Sequence, residues 1–289
     1  MATAGPRVAV VTGASAGIGR QAAKELAGQG WRVIATGRNP ERCAAAETEI
    51  RAASATGDAA FICADLSLMA DVARLAREIA GMTDRVDLLL NNAGGMPSHF
   101  EMTAEGYEAN FAGNHLGPFL LTERLLPLLR KAAGDAPEGS VRIINTSSDA
   151  SEMIETLNLD DMQNLDTYSN GLAYCSSKLA NVLHARGLAT RLADDGIIAH
   201  SLHPGTVDSN FFDDLDEQTR AYTQTLEKMT VEQGADTLVW LATGDEPGRS
   251  SGGYWHERRP RKPNPLIDDD AFIARFWEES ERLVARAGV

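Results

Sequence analysis

Tyr174 and Lys178 stand four positions apart in LAYCSSKLAN (172–181). On a helix that offset puts a phenol and an ammonium on one face. The pair could be ordinary amphipathic surface, a tyrosine with its hydroxyl outward and a snorkelling lysine, or it could be an acid with its tuner. Bringing a tyrosine from its ordinary pKa of ~10 to near ~7 takes roughly 4 kcal/mol of added phenolate stabilisation. One positive charge about 4 Å away supplies that order of energy at an effective dielectric near 20. A phenol so tuned could hand a proton to a carbonyl oxygen. Cys175 lies beside it without an evident histidine base or CxxC partner, and reads as a packing residue.

A second constellation lies near the N-terminus. TGASAGIGR (12–20) follows an apolar run, with Gly13, Gly17 and Gly19 opening a helical stretch. Glycines let backbone approach a ligand closely where a helix N-terminus favours negative charge, and a dinucleotide pyrophosphate suits that place. A tight turn with no ligand would use the same residues. The next apolar run ends in ATGRNPER (35–42), with Arg38 and no acid before Glu41. A guanidinium there suits a ribose 2′-phosphate, which points to NADP(H) rather than NAD(H). Asp65 in CADLS and the NNAG turn (91–94) close the following two runs. Asp65 could accept from an adenine amino group and Asn92 to Gly94 could border a ribose; both could equally be turns.

Elements must bring these residues together. β-branched apolar runs recur at 7–12, 31–36, 59–64, 86–91, 141–146 and 196–202, and GGYWH (252–256) is a candidate seventh. Helical spacing fills 17–29, 40–54, 70–81, 103–131 and 171–194. Strands alternating with helices imply a doubly wound α/β fold, a parallel sheet of six to seven strands covered on both faces. No linker or repeat divides the chain, so one domain over 1–289 is expected, with substrate segments near 149–171 and 206–230 and a helical tail at 268–287. The basic cluster in RRPRKPNPL (258–266) reads as a solvated loop balancing nearby acids.

Lysine and arginine total 27 against 41 aspartates and glutamates, a net charge of −14. That balance repels phosphate backbones and anionic lipid alike, so neither nucleic acid nor membrane is an expected partner. The three widely spaced cysteines and the absence of a long apolar segment suggest a soluble protein of a reducing cytoplasm. His200 and His203 lack a third ligand for a metal, and FFDDLDE (211–217) reads as a solvated helix start.

TGxxxGxG, NNAG, NTSS (145–148) and YxxxK in this order resemble the short-chain dehydrogenase/reductase family over residues 7 to about 205. GNHLG (113–117), LAYCSSKLANVL and HPG (203–205) look like its retinol dehydrogenase branch. The resemblance implies a Rossmann fold and an NADP(H)-linked interconversion of a small-molecule carbonyl and its alcohol. It implies Asn114, Ser148, Tyr174 and Lys178 as the catalytic set, with Ser148 on the substrate oxygen and Asn114 supporting a relay to Lys178. It maps cofactor contacts onto Gly13, Ser15, Gly17, Ile18, Gly19, Arg38, Asp65, Leu66, Asn92, Ala93, Gly94, Tyr174, Lys178, Pro204, Gly205 and Thr206. Ala16 stands where some NADP-dependent members are basic, which leaves phosphate recognition to Arg38. Family members often pair through long helices, so a homodimer or tetramer through 103–131 and 171–194 is expected. Apolar residues of 149–171 hint at a bulky lipophilic carbonyl compound.

Overall fold

The computed structural model describes residues 6–96, 98–209, 220, 221 and 223–289. The expected runs become β1 (Val8–Val11), β2 (Arg32–Gly37), β3 (Ala59–Cys63), β4 (Leu88–Asn91), β5 (Arg142–Thr146), β6 (Ile198–Leu202) and β7 (Tyr254–His256). The sheet order is β3-β2-β1-β4-β5-β6-β7-β8, parallel up to β7. The sheet has eight strands, one more than the upper expectation. The addition is β8 (Arg259–Pro260), antiparallel to β7 and reached through Glu257 and Arg258, both at positive φ. The basic cluster is therefore partly sheet edge. Its charges meet acids as expected: Arg258 pairs with Asp236, and Arg261 with Glu152 at 2.6 Å.

Alternate residues of each strand enter opposite cores, as the period of two requires. Ala9, Val11, Val33, Ala35 and Leu90 face α1 (Gly17–Gly28), α2 (Pro40–Ala53) and a later helix, Val231–Thr243. Val8, Val10, Ile34, Leu89 and Ile143 face α3 (Met69–Met82), α4 (Gly117–Gly134) and α5 (Asn170–Arg191). The later helix is α6, and α7 (Asp270–Ala285) is the tail. This is the doubly wound arrangement, with its topological switch between β1 and β4.

The stretch 103–131 is not one helix. Gly106, at φ 79, turns the chain between Met102 and Glu108, which form an isolated bridge. The Glu108 carboxylate then accepts from the Asn110 and Phe111 amides and starts the helix anew. A short α-turn, Ala109–Phe111, widens into a π-turn, Ala112–Leu116, before α4 begins. Such turns carry an extra residue per loop and recur at functional sites; this one carries Asn114.

The tail helix packs where a second copy was expected. Ile273, Phe276, Trp277 and Leu283 are buried, and the Trp277 ring lies 2.9 Å from a Cβ placed on Gly187 of α5. Ser280 meets His115 at 3.0 Å, and Tyr107 donates to the Leu283 carbonyl at 2.8 Å. Part of the α5 face thus belongs to the chain's own C-terminus. Within 149–171, Leu157, Leu159 and Met162 join the core, whereas Met153 and Leu165 are exposed. FFDDLDE, in the middle of the 206–230 segment, lies outside the described residues.

Candidate active site

β1 ends in a turn whose backbone has no room for side chains. A Cβ on Gly13, at φ 66, would stand 2.7 Å from the Ala93 Cα. On Gly19 it would collide with the Asn92 side-chain Nδ2 and meet the Gly13 carbonyl oxygen at 2.5 Å. Thr12 fastens the two turns together: its hydroxyl accepts from the Asn92 and Ala93 amides at 2.9 and 3.0 Å and donates to the Leu90 carbonyl. The N-cap of α1 is Ala16, which has no capping side chain. The first turn of α1 therefore keeps backbone donors for an anion, within a cradle that a β-carbon would fill. These features fit a dinucleotide pyrophosphate.

The strand ends bring the other expected contacts to this edge. Ser15 lies against Gly37, its Cβ and Oγ both 2.8 Å from where a Cβ would stand there. Arg38 follows, exposed, and its guanidinium holds no acid among the described residues. Asp65 turns inward on its own loop, accepting from the Ser67 amide and hydroxyl at 2.9 and 2.8 Å. Leu66 is buried, and its carbonyl oxygen would lie 2.1 Å from a Cβ on Gly117, which ties the β3 loop to the start of α4. Beyond β6, Pro204 and Gly205 lead to Thr206, whose carbonyl accepts from the Met229 amide at 2.7 Å. Val207 and Ile18 approach from two sides where a Cβ on Gly234 would stand, at 2.4 and 2.9 Å. The segment after β6 thus reaches the first turn of α1.

The polar set gathers around Gly94. A Cβ there would be 2.8 Å from the Asn114 amide oxygen and 3.0 Å from Lys178 Nζ. Asn114 spans Gly95, accepting from its amide at 2.9 Å and donating to its carbonyl at 2.8 Å. The same amide nitrogen lies 3.1 Å from Ser177 Oγ and also meets Asn110. Lys178 is buried, and its ammonium donates to the Thr146 carbonyl at 3.3 Å. Thr12, Asn110, Thr146 and Ser177 hold this edge together and went unnoticed in the sequence. Thr12 opens TGxxxGxG, Thr146 lies in NTSS and Ser177 inside YxxxK, but only tertiary contact reveals their partners.

Tyr174 and Ser148 share a hydrogen bond. Ser148 Oγ also donates to Asp149 Oδ1 at 2.9 Å and accepts from the Ala150 amide. Burial pushes the Tyr174 phenol above its ordinary value; the Ser148 bond opposes that push, and the Asp149 carboxylate adds to it. Lys178 is held down to about 8 by burial. Its Nζ lies 5.6 Å from the centre of the Tyr174 ring. Burial is thus the largest influence on the phenol, with the ammonium beside the ring.

His200 accepts at Nδ1 from the Gly253 amide and the Trp255 indole, both at 3.1 Å, with Nε2 on the Pro247 carbonyl. His203 accepts from the Asp149 amide at 3.1 Å. Both rings therefore have structural roles around the strand ends.

Replacing Gly94 by alanine drives a methyl against both the Asn114 amide oxygen and the Lys178 ammonium. An expected outcome is a loss of turnover of about tenfold or more, since misplacement by an ångström or so has that scale of cost. Turnover alongside circular dichroism measures it; full activity would show that the two side chains can separate freely.

A doubly wound parallel sheet with a glycine-lined turn at its switch point is the Rossmann, dinucleotide-binding architecture. The family model for short chain dehydrogenases matches residues 7–220. Human retinol dehydrogenase 13 is 35% identical, the match covering 98% of this chain and 86% of that protein. A putative daunorubicin C-13 ketoreductase from Streptomyces sp. (strain C5) is 34% identical over 96% of this chain and 92% of its own. Among solved structures, the Pseudomonas aeruginosa RhlG/NADP active-site complex aligns with a TM-score of 0.69 and 30% identity, covering 86% of this chain and 93% of that one. The chain belongs to the short-chain dehydrogenase/reductase family of oxidoreductases, and within it is retinol dehydrogenase-like. The family binds a nicotinamide dinucleotide and acts on small molecules.

Proposed function

We propose that this protein interconverts a carbonyl compound and its alcohol with NADP(H), using Tyr174 as general acid and base. The observation that carries the reading is one sheet edge bearing both an uncapped, glycine-lined helix N-terminus and, around Gly94, the Tyr174–Ser148 pair with Asn114 and Lys178. When bound, the reduced cofactor supplies a hydride to the carbonyl carbon. Tyr174 gives its phenolic proton to the substrate oxygen, and its raised pKa keeps that proton in place until charge develops there. Ser148 turns its hydroxyl from Asp149 to the same oxygen and stabilises the developing negative charge. Lys178 lends positive charge to the phenolate left behind, and Asn114 holds the Gly95 backbone beside it.

Arg38 supports the preference for NADP(H), because an exposed guanidinium without an acid partner among the described residues can take a 2′-phosphate bidentately. The solved relative's NADP complex favours the same choice. Exposed Met153 and Leu165, on the 149–171 segment expected to border the substrate, and exposed Phe100 beside Tyr168 of that segment support a bulky lipophilic carbonyl compound, and the ketoreductase relative's name agrees with carbonyl reduction. Phe100 packs edge-on against Tyr168, whose hydroxyl reaches Asn170 at the start of α5, the helix that carries Tyr174. We place this activity in the cytoplasm, on the strength of the acidic surface and the free cysteines. NADPH consumption against aldehydes, ketones and quinones, with the alcohol identified by NMR, tests the proposal; binding without consumption across the panel would defeat it.

The pH dependence follows from two groups. Lys178 is a cation below about 8 and neutral above it, whereas Tyr174 stays protonated past its ordinary value. Reductive turnover is therefore expected to hold through neutrality and to fall as pH rises through about 8. A kcat profile that stays flat well into the alkaline range would contradict a role for the lysine's charge.

A further inference from the structure

Cys43 and Cys63 are far apart in the sequence, yet the fold sets their thiols against each other. Cys63 ends β3 in register with Gly37 at the end of β2. Residues paired across neighbouring strands project to one face, and here that is the face holding Ala35 and Phe61, on which α2 packs. Cys43 comes from the first turns of α2, with its sulfur 3.2 Å from where a Cβ on Gly37 would stand. Glycine at 37 leaves the space into which the two thiols project from either side, close enough for each to feel the other's charge. The Cys63 thiol also donates to the Arg38 carbonyl at 3.4 Å. Both thiols are free; Cys43 is buried and Cys63 is partly exposed.

We propose that Cys43 and Cys63 are a reversible disulfide site, and that closing it weakens the hold of Arg38 on the cofactor's 2′-phosphate. The second half rests on the reading of Arg38 given above. A small-molecule disulfide such as glutathione disulfide is the oxidant. The Cys63 thiolate attacks one of its sulfurs and expels one glutathione thiolate, leaving a mixed disulfide on Cys63. Cys43 then loses its proton and attacks Cys63 Sγ, expelling the second. Two protein thiols are oxidised to one disulfide and one glutathione disulfide is reduced to two thiols, which carry away the two protons. Exposure puts Cys63 first; burial and the neighbouring sulfur hold the Cys43 thiol up to about 12, so it stays protonated while Cys63 reacts and enters only the second step, in which the mixed disulfide is held beside it.

Closure has a local consequence. Sulfurs in a disulfide lie ~2 Å apart, so the bond draws the start of α2 towards β3. Between these two anchors runs the turn containing Arg38 and Asn39, the residue whose side chain caps α2. The bond also consumes the thiol proton that held the Arg38 carbonyl. An NADH adenosine, with no 2′-phosphate, loses little by the change.

The full-length protein, equilibrated in glutathione buffers of graded ratio, provides the test. Peptide mapping should find a Cys43–Cys63 linked peptide lighter by two hydrogen atoms. NADPH affinity, read by fluorescence titration, should fall about fivefold or more, as expected from losing part of one charge-assisted contact. NADH affinity should stay constant, dithiothreitol should restore the starting values, and Cys63→Ser should abolish the response. Thiols that stay reduced at an oxidising ratio, or glutathione that remains on Cys63, would overturn the disulfide. A linked peptide with unchanged NADPH affinity would overturn the coupling. A reduced protein that binds NADH as tightly as NADPH would overturn the Arg38 reading and the coupling with it, while peptide mapping still decides the disulfide.

Discussion

Tyr174→Phe is expected to lower carbonyl reduction by about a thousandfold while leaving NADPH affinity nearly unchanged. The size follows from the loss of a positioned general acid, worth about a hundredfold to ten-thousandfold. Only the hydroxyl is removed, so the ring keeps its place beside the Lys178 ammonium. Ser148 loses its bond to the tyrosine hydroxyl but retains Asp149 and the Ala150 amide, and its position should survive. Steady-state kinetics beside an NADPH titration separate the two effects. Substantial retained turnover would mean that another group delivers the proton.

Arg38→Asp should have the next largest effect, a reversal of cofactor preference. The substitution removes a charge-assisted bidentate contact and puts a carboxylate opposite a phosphate. A loss of roughly 3 kcal/mol corresponds to about a hundredfold in NADPH affinity. NADH has a free ribose hydroxyl at that point, to which aspartate can bond, so its affinity should hold or rise. Because Arg38 is exposed, the wild-type preference should also shrink as salt screens the contact. Equal losses for both cofactors would move the 2′-phosphate elsewhere.

The strands were legible because a parallel sheet buries both faces and writes itself as continuous β-branched runs; β1 and β3 to β6 fall within the stretches read that way, and β2 runs one residue past its own, to Gly37. Two breaks escaped the pattern. The π-turn at Ala112–Leu116 keeps helical spacing in the sequence, and only the Glu108 cap and Gly106 mark where the helix restarts. β8 is two residues long and rests on positive φ at Glu257 and Arg258, which no propensity announces.

The site was legible to the extent that its residues sit in short motifs at strand ends and one helical turn apart. Its fastenings were not. Thr12 binds across to Asn92, Asn110 meets Asn114 through the π-turn, and the Cys43–Cys63 contact joins two elements across a strand. The energetics also differed from what spacing suggests. A four-residue offset places the ammonium beside the tyrosine, but burial decides where the phenol titrates.

The central claim is that a hydride from NADPH reaches a carbonyl carbon while Tyr174 protonates the oxygen. Reduction of a lipophilic aryl ketone with NADPH deuterated at the transferable position tests it most directly. The account predicts an alcohol with one deuterium on the carbinol carbon for each NADPH consumed, and almost none from Tyr174→Phe. Deuterium at a carbon β to an intact carbonyl, when an unsaturated ketone is offered, or NADPH bound and never consumed, would contradict it.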